Sequence, residues 1–200
     1  MGRIFYIMGK SVSGKDTIYR QLIQDEEFGF RKLVPYTTRP IRSGEKDGED
    51  YFFTDEAGLE KIRQEGKLVE LRTYQTAHGP WHYFTVDDGH IDLAQYSYLA
   101  IGTLESYQSL RAYFGKEMLV PVFIDLDDGI RLQRALDRER MQESPKYKEM
   151  CRRYLADLED FSEEKVAAAG IEKRFFNNNE LTECIEKIKI YIREIWNEEG

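Results

Sequence analysis

The chain has 200 residues, of which 41% are hydrophobic and 13% aromatic, enough to form the core of one domain with insertions. Its formal net charge of −8 disfavours non-specific binding to nucleic acid, because that binding depends on neutralising phosphates. The sequence contains no apolar run of membrane-spanning length and no signal-peptide pattern, so we expect a cytoplasmic protein that binds neither nucleic acid nor a membrane.

Strand-like and helix-like segments alternate along the chain, which is typical of a largely parallel sheet covered by helices. Strands are predicted over residues 3–8, 31–36, 51–53, 67–74, 82–86, 96–101, 118–124 and 174–176. Helices are predicted over residues 15–26, 56–65, 104–114, 127–140, 145–168 and 180–197. Asp55 is the expected cap of the second helix, and Pro35 weakens the second strand. The two cysteines, Cys151 and Cys184, are expected to be reduced, partly buried thiols.

The first strand leads directly into a loop with the spacing G-x-x-x-x-G-K, and a helical pattern follows. Such a loop turns several backbone N–H groups toward one point, and the positive end of the helix adds to the attraction for phosphate. Lys15 is predicted to reach the β- and γ-phosphates of a bound triphosphate. The alternative is a βα turn without a ligand. The residues of this phosphate loop predicted to hold ATP are Gly9, Lys10, Ser11, Val12, Ser13, Gly14, Lys15, Asp16 and Thr17.

The loop departs from the usual motif at Asp16, where a Ser or Thr hydroxyl ordinarily meets Mg²⁺. A carboxylate beside a triphosphate is repelled unless a cation lies between them. In one interpretation Asp16 ligates Mg²⁺ directly or through water, with Thr17 close by. In the other, Asp16 caps the following helix and Thr17 supplies the hydroxyl. We favour the metal site.

A second group of phosphate-binding residue types lies over residues 37–51. Arg39 and Arg42 are predicted to bind a second phosphate in bidentate fashion, and Tyr51 adds a hydroxyl donor. Taken alone, this segment also fits a solvated loop of mixed charge. Its position after the phosphate loop favours the binding site.

The pattern T-T-R-x-x-R-x-G-E-x-D-G-x-D-Y after such a loop resembles the guanylate kinase family, and the resemblance covers nearly the whole chain. It implies a P-loop NTPase three-layer sandwich with a mainly parallel sheet, a small α+β acceptor-binding insertion and a helical lid. The implied single domain has a core over 1–34, 95–133 and 162–200, an acceptor-binding region over 35–94 and a lid over 134–161. The implied reaction moves the γ-phosphate of ATP to GMP with Mg²⁺, giving ADP and GDP.

This chemistry accounts for the residue types, because two mutually repelling anions must be held in line while positive charge surrounds the moving phosphoryl group. The catalytic residues that the resemblance implies are Lys15, Arg39, Arg134, Arg138 and Arg153, with Arg140 as a further candidate. The implied acceptor-binding residues are Arg39, Arg42, Tyr51, Glu70, Tyr83 and Thr85, while Asn177 and Asn178 resemble the turn beside the adenine pocket. The lid arginines also fit a helix surface patterned with ion pairs.

Three departures from the family pattern concern the acceptor base. Pro35 stands in place of a small hydroxyl residue, and residues 99–104 lack the family's acidic pair. Glu70 is therefore the clear partner left for the N1–H and N2–H₂ groups of guanine. The family's Tyr-Tyr-Gly-Ser/Thr turn is also replaced, so that either Tyr83 with Thr85 or His78 with Gly79 takes its place. His78 and His82 otherwise fit ordinary loop histidines.

Two other functions remain open from the sequence. The missing base-contacting residues favour a kinase for another small phosphorylated acceptor, such as a different nucleoside monophosphate. A non-catalytic guanylate kinase-like interaction module is the second alternative. It is opposed by the presence of Lys15, Arg39 and Arg42, which a peptide-binding module does not need.

Overall fold

The computed structural model describes residues 1–76 and 79–197. The described strands are β1 (Ile4–Met8), β2 (Arg31–Lys32), β3 (Tyr36–Thr37), β4 (Phe52–Phe53), β5 (Leu68–Thr76), β6 (Gly79–Val86), β7 (Tyr98–Gly102), β8 (Leu119–Asp125) and β9 (Arg174–Phe176). The described helices are α1 (Lys15–Ile23), α2 (Glu56–Gln64), α3 (Leu104–Phe114), α4 (Asp128–Arg140), α5 (Tyr147–Asp160), α6 (Glu163–Ala168) and α7 (Leu181–Asn197). None of these helices combines the length and the apolar character needed to cross a membrane.

The strands form two sheets. The five-stranded sheet has the order β2-β7-β1-β8-β9, and both β2 with β7 and β8 with β9 pair in parallel. The four-stranded sheet has the order β4-β3-β6-β5, in which β6 runs antiparallel to both β3 and β5. The predicted α/β fold with a mainly parallel sheet is confirmed.

The chain divides into two compact units. The first comprises Met1–Phe5, Asp25–Ala100 and Glu105–Val120, and it contains the four-stranded sheet. The second comprises Tyr6–Gln24, Ile101–Leu104 and Pro121–Gly200, and it contains the phosphate loop together with α4, α5 and α7.

In the first unit, α2 covers one face of the four-stranded sheet. Leu59 of this helix is buried with Phe84 and Val86 of β6, and Leu71 of β5 packs against them. The side chain of Asp55 accepts a hydrogen bond from the backbone N–H of Gly58, which confirms the predicted cap. Since side chains alternate along a strand, the neighbouring residues of β5 and β6 face the other side of the sheet.

One predicted helix, over residues 145–168, is two helices in the structure. The break falls at Phe161, which is buried and stacks on Phe123 with 5.8 Å between the ring centroids. Ser162 then begins α6, because its side chain accepts from the backbone N–H of Lys165. A helical residue pattern continues through this break, so periodicity alone predicts one long helix.

Two strand predictions also need correction. The predicted strand over 31–36 is divided into β2 and β3, with Pro35 between them, as expected of a residue without a backbone N–H. The strand predicted over 82–86 begins earlier, at Gly79. Among the cysteines, both are free thiols, but Cys151 is exposed on α5 and only Cys184 is buried.

At its carboxyl end, β7 finishes at Gly102, where the resemblance predicts an acidic side chain. A Cβ atom at Gly102 would lie 2.1 Å from the Tyr6 hydroxyl oxygen and 3.1 Å from the ring carbon that bears it. Tyr6 is itself buried, with 2% of its surface exposed. The Tyr6 hydroxyl therefore occupies the space that a side chain at position 102 would need.

We predict that Gly102→Ala destabilises the protein by about 1–3 kcal/mol, because the new methyl group overpacks this site. Tyr6→Phe removes the closest atom, so the Gly102→Ala change should cost less in the Tyr6→Phe background. Urea denaturation of the two single variants and the double variant measures the coupling. If the losses in free energy of unfolding of the two single variants add exactly in the double variant, the proposed collision is contradicted.

Candidate active site

The phosphate loop joins β1, whose five residues are all buried, to α1. Val12 has a φ of 67°, and among the described residues it is the only non-glycine with a positive φ. Gly14 has a φ of 91° and occupies the N-cap position of α1, and no side chain caps this end of the helix. An uncapped helix N-terminus suits the binding of an anion. The interpretation of Asp16 as the helix cap is wrong, because Asp16 lies inside the first turn.

Two glycines of the loop are required by close approach of neighbouring groups. A Cβ atom at Gly9 would lie 2.4 Å from the carbonyl oxygen of Ile124, and one at Gly14 would lie 2.5 Å from the Asn177 amide nitrogen. That amide nitrogen donates to the carbonyl oxygen of Ser13 at 2.9 Å. Asn177 therefore holds the loop in its turn.

Arg134 and Asn178 support the same region. The Arg134 guanidinium donates to the carbonyl oxygen of Asn177 at 3.0 Å, and the Asn178 side-chain oxygen accepts from the backbone N–H of Asp127 at 2.9 Å. Both predicted site residues thus contact protein groups close to the phosphate loop.

Lys15 opens α1, and its ammonium nitrogen lies 3.6 Å from a carboxylate oxygen of Asp16. The Asp16 side chain is 77% exposed, and the Thr17 hydroxyl accepts from Arg20 at 3.4 Å. Within residues 1–76 and 79–197, no cluster of three or more His, Cys, Asp or Glu side chains could enclose a metal ion. Asp16 and Thr17 are consecutive residues in the first turn of α1, and their carboxylate and hydroxyl oxygens are of the type that suits a Mg²⁺ ion held mainly by phosphates and water.

A network of charges around Arg131 holds the first half of the loop. Arg131 is 1% exposed and donates to Asp128 at 3.1 Å and to Asp157 at 3.2 Å. Asp128 pairs with Lys10 at 3.1 Å, and Asp157 accepts from the backbone N–H of Ser11 at 2.9 Å. Burial by itself would raise the pKa of Asp128, but hydrogen bonds from Lys10 and Arg131 hold that pKa below its usual range. We call these five residues the Arg131 network.

The lid arginines lie in different surroundings. Arg138 and Arg153 line one small crevice together with Ser11 and Val12 of the phosphate loop. Arg153 lies 3.5 Å from Glu149, whereas Arg138 makes no ion pair within the described part of the chain. The further candidate, Arg140, pairs with Asp137 on the exposed helix surface.

The first unit gathers the predicted acceptor-binding residues on the face of the four-stranded sheet that α2 leaves open. Glu70 of β5 pairs with Thr85 of β6, and Arg72 pairs with Tyr83 two residues further along. Because side chains two residues apart share a face, all four point to the same side. This alignment places Tyr83 and Thr85 on the same face as Glu70, as one of the two alternatives requires; the other alternative involves His78, which lies outside the described residues.

His82 has the orientation opposite to Tyr83. Its ring lies 3.2 Å from Glu56 of α2 and 2.8 Å from the Thr73 hydroxyl. These contacts give His82 a structural role, but it lies in strand β6 and not in a loop as the sequence indicated.

Arg39 is 3% exposed and forms a two-pronged ion pair with Glu45, at 2.6 and 2.7 Å. The hydrogen bond from Arg39 lowers the pKa of Glu45 to about 2. The guanidinium also lies 4.8 Å from the centre of the Tyr51 ring. Glu45 therefore fixes the plane of the Arg39 guanidinium before any ligand binds.

Tyr51 and Arg42 flank this pair. The Tyr51 ring lies 5.8 Å from the Tyr83 ring, and burial raises the pKa of Tyr51. Arg42 is exposed, its backbone N–H donates to Glu45 at 2.8 Å, and its guanidinium lies 5.9 Å from the Trp81 ring. The structure thus brings Arg39, Tyr51 and Tyr83 together and leaves the Arg42 side chain at the edge.

Glu70 is buried, and both of its carboxylate oxygens are engaged. Arg72 donates to them at 3.0 and 3.2 Å, and the Thr85 hydroxyl donates at 3.0 Å. The sequence indicated Glu70 as the partner of the N1–H and N2–H₂ groups of guanine, which stays a prediction. The structure also gives Glu70 a close partner within the protein, Arg72, that the sequence did not indicate.

The Arg131 network was also missed. Only one part of it has a local signal: Asp128 and Arg131 are three residues apart, a spacing at which helix side chains meet. Asp157 reaches Ser11 across 146 residues of sequence, and no local pattern predicts such a contact.

A strand, a glycine-containing loop and a helix with Lys15 at its start define the second unit as a P-loop nucleotide-binding fold. The family model described as guanylate kinase matches residues 1–194. The chain belongs to the guanylate kinase family.

Curated relatives match over part of their length. The chain is similar to the guanylate kinase of Mycoplasma pneumoniae, with 41% identity over 73 residues, which are 36% of this chain and 30% of the relative. It is also 41% identical over 69 residues to that of Rhodopseudomonas palustris, covering 34% of this chain and 31% of the relative. The aligned segments therefore span about a third of these relatives.

The fold extends beyond those segments. The crystal structure of guanylate kinase from Anaplasma phagocytophilum superposes with a TM-score of 0.67 at 18% sequence identity. The match covers 96% of this chain and 85% of that one. At this identity the likeness concerns the fold alone.

We predict that Asp157→Ala lowers the free energy of unfolding by about 3 kcal/mol, because it leaves the buried Arg131 short of one of its two anions and frees the Ser11 N–H. Asp160→Ala, an exposed acid on the same helix, is the matched control. Urea denaturation measures both. If both variants lose the same small amount of unfolding free energy, the Arg131 network contributes nothing to stability.

Proposed function

We propose that the protein is an ATP-dependent kinase that phosphorylates GMP, giving ADP and GDP. The observation that carries the proposal is the face of the four-stranded sheet opposite α2. There an oriented arginine and two tyrosines, suited to a phosphate, share the surface with a buried carboxylate suited to a base N–H group. We further propose that the protein works in the cytoplasm, where its two free cysteines stay reduced.

We assign one role to each of the three regions expected from the sequence. Residues 35–94 hold the acceptor, residues 134–161 form the lid, and the remaining chain binds ATP. Lys15 and the N-terminus of α1 attract the β- and γ-phosphates of ATP. From the lid, Arg138 and Arg153 supply positive charge to the transferring phosphoryl group.

The acceptor needs no strong general base. A phosphate oxygen of GMP is already an anionic nucleophile, so it attacks the γ-phosphorus while the bond to the β-phosphate oxygen breaks and ADP leaves. The protein therefore has to hold two anions in line. Arg39 suits this role because its Nε atom is buried without a hydrogen-bond partner among the described residues.

We propose that Mg²⁺ is held with ATP by Asp16 and Thr17. The ion would neutralise charge on the phosphates, and it would separate them from the Asp16 carboxylate. The exposure of Asp16 fits a ligand that meets the ion through water or directly.

The ion pair of Glu70 with Arg72 favours a second candidate, a kinase for another phosphorylated acceptor. A carboxylate already bonded to an arginine has less capacity for guanine than a free one. Pro35 offers no side-chain donor either. A comparison of acceptors separates the two candidates.

The test is ADP release with GMP, dGMP, AMP, CMP and UMP in parallel. We predict that GMP is the best acceptor and that Lys15→Ala lowers kcat by about 100-fold or more, since Lys15 is the proposed contact to the phosphates and its protein partner, Asp16, is exposed. The control is Lys116→Ala, whose side chain is 72% exposed on the first unit. Turnover of a folded Lys15→Ala variant at the native rate, or a better acceptor than GMP, would overturn the proposal.

For the metal, we predict that Asp16→Ala raises the Mg²⁺ concentration for half-maximal rate by about tenfold. Asp16→Ser should recover much of the loss, because it returns an oxygen ligand. Melting curves of both variants, run beside the magnesium titrations, check that folding is unaffected. An unshifted titration for Asp16→Ala would leave Thr17 as the metal-binding residue.

A further inference from the structure

The hydrogen bonds of Glu70 leave little room for a base. A carboxylate has about four acceptor positions, two on each oxygen. On Glu70, Oε1 accepts from the Arg72 NH2 nitrogen at 3.2 Å and from the Thr85 hydroxyl at 3.0 Å. Oε2 accepts from the Arg72 Nε nitrogen at 3.0 Å. Within the described part of the chain, Oε2 therefore keeps one position for a further donor.

Guanine and hypoxanthine, both 6-oxopurines, differ in the hydrogen-bond donors that they present to such a carboxylate. Guanine presents two neighbouring donors, N1–H and N2–H₂, whereas hypoxanthine presents N1–H alone. Adenine presents an acceptor at N1, which a carboxylate repels. A carboxylate with one open position satisfies the N1–H group and has no place for the 2-amino group.

Burial makes the Glu70–Arg72 pair costly to break. The side chains of Glu70 and Arg72 are 2% and 13% exposed. If Glu70 turned both oxygens toward a base, Arg72 would lose its counter-ion in a nearly dry site, which is strongly unfavourable. The pair is therefore expected to persist when an acceptor binds.

Other groups that would distinguish the purines are missing at the positions where the family pattern has them. Pro35 has no side-chain donor, and Gly102 has no side chain. The Tyr6 hydroxyl fills the space at Gly102. Discrimination of the base consequently depends on Glu70.

On the basis of the proposed function, we propose that Arg72 determines base specificity by occupying the Glu70 carboxylate. The acceptor class is then 6-oxopurine nucleoside monophosphates, with IMP accepted nearly as well as GMP. Adenine nucleotides are rejected through their N1 atom. The 2-amino group of guanine is not recognised.

The first experiment compares kcat/KM for GMP, IMP and AMP in the native protein, with calorimetric affinities for the same three nucleotides. We expect the GMP and IMP values to agree within about threefold, because the 2-amino group gains no hydrogen bond. A GMP preference over IMP of about 30-fold or more would overturn the inference while leaving GMP kinase activity established. Failure of both GMP and IMP to bind or react would overturn the proposed function as well.

The second experiment changes Arg72. Arg72→Met keeps an apolar stem of similar length and frees acceptor positions on both oxygens of Glu70, so the GMP to IMP ratio should rise about tenfold. Arg63→Met is the matched control, since Arg63 pairs with Glu60 on the exposed surface of α2 in the same unit. If Arg72 had a merely structural role, the variant would lower kcat/KM equally for GMP and IMP. The unchanged ratio would overturn the inference.

Two further variants cover the case in which Arg72→Met does not fold. Arg72→Lys keeps the positive charge, but a lysine ammonium donates from one nitrogen. It therefore frees an acceptor position on one of the two Glu70 oxygens. Thr85→Val keeps the shape and frees one position on Oε1. Both should raise the GMP to IMP ratio, and an unchanged ratio in folded samples of both would contradict the role assigned to Arg72.

Discussion

A buried cation needs an anion beside it, and the surroundings of Arg131 and Arg39 follow from that requirement. Arg131 and Arg39 are 1% and 3% exposed, so neither guanidinium can be compensated by water. Arg131 is paired with two carboxylates that also hold Lys10 and Ser11 of the phosphate loop. The strained Val12 turn is thus held by charges that the buried arginine requires in any case.

The same requirement orders the surroundings of Arg39. Glu45 holds both ends of the Arg39 guanidinium, so this side chain has little conformational entropy left to lose. The pair is not neutralised by pH in the physiological range, because the hydrogen bond from Arg39 lowers the pKa of Glu45 to about 2. Arg138 is the opposite case. It is exposed and makes no ion pair within the described residues, so no neighbouring carboxylate neutralises its charge or orders its long side chain.

The sequence predicted the parts of the molecule that depend on local signals. The order of β1, phosphate loop and α1 follows from an apolar run and glycine spacing, and the Asp55 cap follows from one side chain next to a helix start. The burial of a particular sheet face, which depends on distant segments, was not predictable. Glu70 and Arg72 lie two residues apart in a strand, where charged side chains usually face solvent, and nothing local indicates that this face is buried.

Two pairs of residues in this chain are physically coupled. Gly102 goes with the Tyr6 hydroxyl, because an acidic side chain at position 102 would collide with it. Glu70 goes with Arg72, because the buried carboxylate and the guanidinium compensate each other. A change at only one member of a pair therefore leaves a clash at Gly102 or an uncompensated charge at Glu70, and the cost of that change depends on the other member.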